Sequence, residues 1–86
     1  MNTQIQTISR DLSLPELRDI LAGWDQYVDF YRNGVTQAEV IINSVHYSIE
    51  RFPTKHRNYG TEPVYRAVYR MNGKRVSKNV FYGFAA

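Results

Sequence analysis

Cysteine is absent from this 86-residue chain, which excludes a disulfide framework and any thiolate metal site. Histidine is almost as scarce. His46 and His56 are the only two, and although His46 and Glu50 stand at i, i+4, two ligands do not make a metal site. No metal and no cofactor are expected. Only five glycines occur, and none belongs to a Gly-rich run of the kind that cradles a phosphate. Apolar runs stay far short of the roughly 20 residues that span a bilayer. Met1-Asn2-Thr3-Gln4 carries neither the basic nor the apolar region of a signal peptide. A cytoplasmic protein with no membrane partner is the expectation.

Catalytic signatures are missing too. Ser44, Ser48 and Ser77 lack the sequence surroundings of a nucleophile. Asp25 and Asp29 lie at i, i+4, with Arg32 three residues further on, and read as a solvated helix face rather than as cooperating carboxylates. These absences point away from an enzyme.

What is present suits one small folded domain over residues 1–86: 43% of the residues are hydrophobic and 22% charged. The net charge of +3 hides a strong asymmetry. Residues 1–50 hold seven acids against Arg10, Arg18 and Arg32, a net of −4. Residues 51–86 hold eight cations against Glu62 alone, a net of +7. A local field of this kind steers encounters even when the total charge is small.

The pattern along the chain predicts an arm or short edge strand over 1–12, then a helix over 13–33. Ser13-Leu14-Pro15-Glu16 is a capping box with proline in the first turn. Leu14, Leu17, Leu21, Trp24, Val28 and Tyr31 follow at alternating spacings of three and four. Asn33-Gly34 supplies the stop. Thr36-Gln37-Ala38-Glu39 repeats the capping logic, and Ala38, Ile41, Ile42, Val45, Ile49 and Phe52 share one helical face, so a second helix is predicted over 36–52. Residues 53–63 read as a basic loop, and 64–83 as a β-hairpin turning on Asn72-Gly73. The expected fold is α+β: two packed helices followed by an antiparallel hairpin, with residues 3–8 as a candidate third strand. The core expected from it is Leu21, Trp24, Val28, Ile41, Val45, Ile49, Tyr69 and Val76. Phe30, Val40 and Tyr47 are left over as a candidate homodimer contact.

A two-residue turn at Asn72-Gly73 sets Met71 against Lys74, Tyr69 against Val76 and Tyr65 against Val80. It gathers Arg66, Arg70 and Arg75 on one side of the ribbon, with Val64, Val68 and Phe81 among them. A bulged three-residue loop sends Lys74 and Lys78 to that side instead. Either register keeps Arg66 and Arg70 together. With Lys55, Arg57 and Tyr59 from the preceding loop, these residues form the candidate partner-binding surface. Guanidinium groups suit phosphates, and arginines with aromatics equally suit an acidic protein surface. The expected function is that of a small binding protein of a phage or mobile-element accessory type. Its basic hairpin would engage nucleic acid or an acidic surface of host nucleic-acid machinery.

Ile41-Ile42-Asn43-Ser44-Val45-His46-Tyr47-Ser48-Ile49, Phe52-Pro53, Pro63-Val64-Tyr65-Arg66-Ala67-Val68 and Tyr82-Gly83-Phe84-Ala85 together resemble the opening of arginine–serine–glutamate class ADP-ribosyltransferases. The resemblance covers about half the chain. It implies helices leading into a strand with a Tyr-Arg-Gly motif, whose arginine, here Arg66, supports bound NAD. Ala67 stands where the family has glycine, and neither the Ser-Thr-Ser strand nor the Glu-x-Glu motif follows. What the resemblance implies is thus a truncated or remnant NAD-binding module.

Overall fold

The computed structural model describes residues 5–53 and 65–84. Its elements are β1 (Gln6–Ile8), α1 (Leu14–Tyr27), β2 (Gln37–Ile42), β3 (Val45–Pro53), β4 (Tyr65–Met71), β5 (Lys74–Val76) and α2 (Lys78–Phe81). The five strands make one sheet in the order β1-β2-β3-β4-β5. β1 runs parallel to β2, joined by the α1 crossover, and every other neighbouring pair is antiparallel.

The first helix starts where the sequence says. Ser13 accepts from the Glu16 N–H, and the Glu16 carboxylate accepts in return from the Ser13 N–H, at 3.3 and 3.2 Å. These bonds from Ser13, with the neighbouring Arg10, hold the Glu16 carboxyl below the usual carboxylate range. The helix ends earlier than predicted, at Tyr27, with Val28 extended. Asp29 is the local cause. Its Oδ1 accepts from the N–H groups of Tyr31 and Arg32 at 3.1 and 2.8 Å, a turn that competes with further helix.

The predicted second helix does not exist. Residues 36–52 supply β2 and most of β3, joined at Asn43-Ser44, so two packed helices plus a hairpin is not the architecture. Both turn residues have positive φ (48° and 69°), as a two-residue hairpin turn requires. The apolar residues that fit a helical stripe also alternate. Val40 and Ile42 on β2, and Tyr47 and Ile49 on β3, face α1. β-Branched residues prefer that pleated surface, and strand β4 on the far side of β3 completes the pairing. The N-terminal strand exists over Gln6–Ile8, but it joins β2 at the opposite edge from the β4–β5 hairpin. Asn43 fastens it there: its amide donates to the Arg10 carbonyl at 2.9 Å, and its Oδ1 accepts from the Arg10 N–H at 3.1 Å.

The Asn72-Gly73 turn is as expected, with Met71 opposite Lys74 and Tyr69 opposite Val76. The second strand of that hairpin is shorter than predicted. It stops at Val76 because the Ser77 hydroxyl caps α2 by accepting from the Val80 N–H at 3.2 Å. Tyr65 therefore does not pair with Val80. Phe81, placed by the strand pattern among the arginines, is instead a central core residue. Its ring lies 4.9 Å from Tyr69 and 5.4 Å from Tyr47.

Leu21 of α1, Val28 just past its end, and Phe81 and Tyr82 of the C-terminal turn cover one face of the sheet and bury Val40, Ile42, Tyr47, Ile49 and Tyr69. Trp24, Val45 and Val76 pack around that cluster, whereas Ile41 points the other way. Val40 and Tyr47 are buried here, so they cannot serve as the surface contact suggested for them, and Phe30 is half-buried edge-on to Tyr31. No described helix is long and apolar enough to cross a membrane.

Candidate functional site

Strand alternation sends every second side chain to the face that α1 and α2 leave uncovered. Reading the registers across β2, β3, β4 and β5 gives one continuous row on that face: Glu39, Ser48, Arg70, Arg75. A second row runs Gln37, Glu50, Val68, and a third pairs Phe52 with Arg66. The open face thus carries carboxylates on its β2–β3 half and three guanidinium groups on its β4–β5 half.

Few of those cations are neutralised. Arg70 Nη1 lies 3.4 Å from Glu50 Oε1. Arg66 lies over the Phe52 ring at 6.0 Å, a cation–π distance, and is otherwise exposed. Arg75 is exposed directly opposite Arg70. On the acidic half, His46 Nε2 is 2.9 Å from Glu39 Oε1. Val68 is only 5% exposed and Ser48 6%, although no described element covers this face.

Arg66, Arg70 and Arg75 are therefore brought together as the sequence indicated. Lys74 and Lys78 are not. The two-residue turn puts Lys74 opposite Met71 on the helix side of the hairpin, and Lys78 opens α2, both exposed. Lys55, Arg57 and Tyr59 lie outside the described residues. Glu39, His46, Ser48, Glu50 and Phe52 belong to the site and were missed, because they were read as positions on a helix. The signal that reveals them is the apolar–polar alternation over residues 37–40 and 45–50 on either side of Asn43-Ser44.

A polar cleft of about 410 Å³ opens on the opposite side, lined by Asp25, Gln26, Val28, Asp29, Arg32, Arg51 and Tyr65. Asp25 is not the solvated helix residue expected. It is 8% exposed and ion-paired to Arg51, whose Nη1 also donates to the Val28 carbonyl. Tyr69 and Tyr82 donate their hydroxyls to Asp25 Oδ2 at 3.1 and 2.7 Å. With both carboxylate oxygens engaged, Asp25 is a structural clamp rather than a free acid or base. Burial, reinforced by Asp25, pushes the Tyr69 hydroxyl up to about 12 and raises that of Tyr82 as well.

The described residues hold no group of three or more His, Asp or Glu side chains that could bind a metal ion. The segment that resembles the helical lead-in of ADP-ribosyltransferases is the β2–β3 hairpin, and Arg66 does not line the polar cleft. No protein-family model, curated protein or solved structure matches this chain.

Proposed function

We propose that this chain is a non-enzymatic binding module whose open sheet face engages an acidic protein surface. The observation that carries this reading is the cross-strand pair Arg70–Arg75, with Arg66 on the same face. Like charges directly opposite one another weaken a strand pair, and among the described residues only Glu50 offsets the three guanidinium groups. The Arg70–Arg75 juxtaposition does not help the strands to pair, whereas a carboxylate-bearing partner turns it into charge-assisted hydrogen bonds. Glu39 and Glu50 on the same face favour protein over nucleic acid. They repel a phosphate backbone, but a protein surface can place a cation opposite them. Lys55, Arg57 and Tyr59 join this proposal by their chemistry alone. In this reading the chain acts in the cytoplasm as an accessory factor of phage or mobile-element type, masking an acidic surface on a larger host assembly.

The test pairs capture with substitution. Tagged wild-type protein should retain a partner from host extract, and an Arg66→Ala/Arg70→Ala/Arg75→Ala variant of unchanged melting temperature should not. Labelled single-stranded and duplex oligonucleotides supply the opposing arm. A log–log salt slope near −0.9 per duplex phosphate, with no protein captured, replaces this reading with nucleic-acid binding.

A further inference from the structure

The exposed side of α1 carries a feature that the fold does not require. Gly23 sits inside the helix, where glycine is disfavoured relative to alanine. An added Cβ there meets nothing within 4 Å, and the backbone conformation is ordinary. Neither close packing nor positive φ explains the residue. Around it, Ile20, Trp24 and Tyr27, with Asp19 at the rim, line a notch of about 480 Å³. Tyr27 is 51% exposed, and its ring meets Trp24 edge-on at 5.6 Å. Ile20, Gly23, Trp24 and Tyr27 are residues i, i+3, i+4 and i+7. These are the four corners of the hole into which a facing helix inserts a side chain. At Gly23 one corner is open down to the backbone.

We infer that this notch is a docking hole for a basic amphipathic helix of a partner protein, which inserts an apolar side chain over Gly23 and sets a Lys or Arg against Asp19. Charge selects this occupant over a second copy of α1. Asp19 is the exposed charge of the helix that has no counter-ion among the described residues, since Glu16 is already paired with Arg10 at 3.3 Å. Arg18 is committed to the carbonyls of Tyr82 and Gly83, at 3.0 and 3.2 Å, and to the Phe84 ring at 3.9 Å. Pairing α1 with itself therefore sets acid against acid with no free cation on the helix to relieve it. A partner helix with basic flanks meets the same surface with complementary charge. The hole lies on the helix layer and the arginine row on the opposite face of the sheet, so the two surfaces can be tested separately.

Trp24, the only tryptophan in the chain, lines the hole and reports on it. The probes are labelled amphipathic helical peptides with a Leu/Phe seam flanked either by Lys or by Glu. The Lys-flanked peptide should bind and shift Trp24 emission to the blue. Gly23→Leu, which fills the hole, and Asp19→Lys should each weaken it on the order of tenfold. Asp19→Lys should transfer the preference to the Glu-flanked peptide. Gly23→Ala should raise the melting temperature by roughly 4–8 °C while weakening the peptide, separating docking from folding. The Arg66→Ala/Arg70→Ala/Arg75→Ala variant should bind the peptide unchanged. Equal binding of both peptides, or full binding by Gly23→Leu, overturns the inference. So does a concentration-dependent dimer that Gly23→Leu abolishes, since that assigns the hole to a second copy.

Discussion

Asp25 on α1 and Arg51 on β3, 26 residues apart, form a buried ion pair that ties the helix layer to the middle strand of the sheet. Arg51 also accepts the duty of a helix C-cap, because its Nη1 donates to the carbonyls of Asp25 and Val28 where α1 ends. Removing either partner leaves the other as a largely buried charge without its counter-ion. Asp25→Ala and Arg51→Ala should each cost about 3–5 kcal/mol in urea denaturation. The double variant should cost clearly less than the two together, because neither charge is then left alone. Simple additivity would show that the two side chains do not act as a unit.

The same clamp sets the alkaline limit of stability. Burial, with Asp25 beside it, pushes the Tyr69 hydroxyl from its ordinary 10.0 up to about 12, and the Tyr82 hydroxyl is raised in the same direction. Above pH 10 the unfolded chain releases these protons while the folded chain keeps them. Stability is therefore fully present below pH 10 and falls as the pH rises toward 12, by about 1.4 kcal/mol per pH unit for each such tyrosine. Tyr69→Phe should flatten this slope in thermal melts between pH 9 and 12, at some cost to stability at neutral pH.

The β2–β3 turn carries avoidable strain. Ser44 holds φ at 69°, a region that costs a residue with a Cβ roughly 1 kcal/mol. Ser44→Gly should stabilise the fold by about 0.5–1 kcal/mol, read as a higher urea midpoint at unchanged m-value. Asn43 should not tolerate the same change, because its side chain fastens the end of β1 through Arg10.

Arg75 has no counter-ion among the described residues and faces Arg70 across the hairpin. Arg75→Thr should leave the melting temperature unchanged or slightly higher, since it removes a like-charge pair and adds a good strand former. Partner capture through the open face should weaken in the same variant. A clear drop in melting temperature would make Arg75 structural and remove it from the binding surface.

Local signals were legible wherever a few neighbouring residues suffice to fix the backbone. The Ser13–Glu16 capping box with Pro15 located the start of α1, and Asn72-Gly73 located a hairpin turn and its register. That register carried Arg66 and Arg70 correctly onto one face. Residues 36–52 were not legible in the same way. Ala38, Ile42, Val45 and Ile49 satisfy a period of 3.6 and a period of 2 at once, and the Asn43-Ser44 turn has no glycine to mark it.

The sequence alone determined the capped start of α1, the Asn72-Gly73 turn of a basic hairpin and a division of charge between the two halves of the chain. The tertiary structure decided the rest. Partners on both sides of β3 supply its backbone hydrogen bonds, and this pairing outweighs the intrinsic helical fit of the segment. It also decided which charges are free. Asp25 looks like a surface residue until α1 is laid on the sheet and pairs it with Arg51, while Arg66, Arg70 and Arg75 stay on the face that no described element covers. Contacts between residues distant in the chain depend on which faces the fold brings together, and no local spacing rule records that choice.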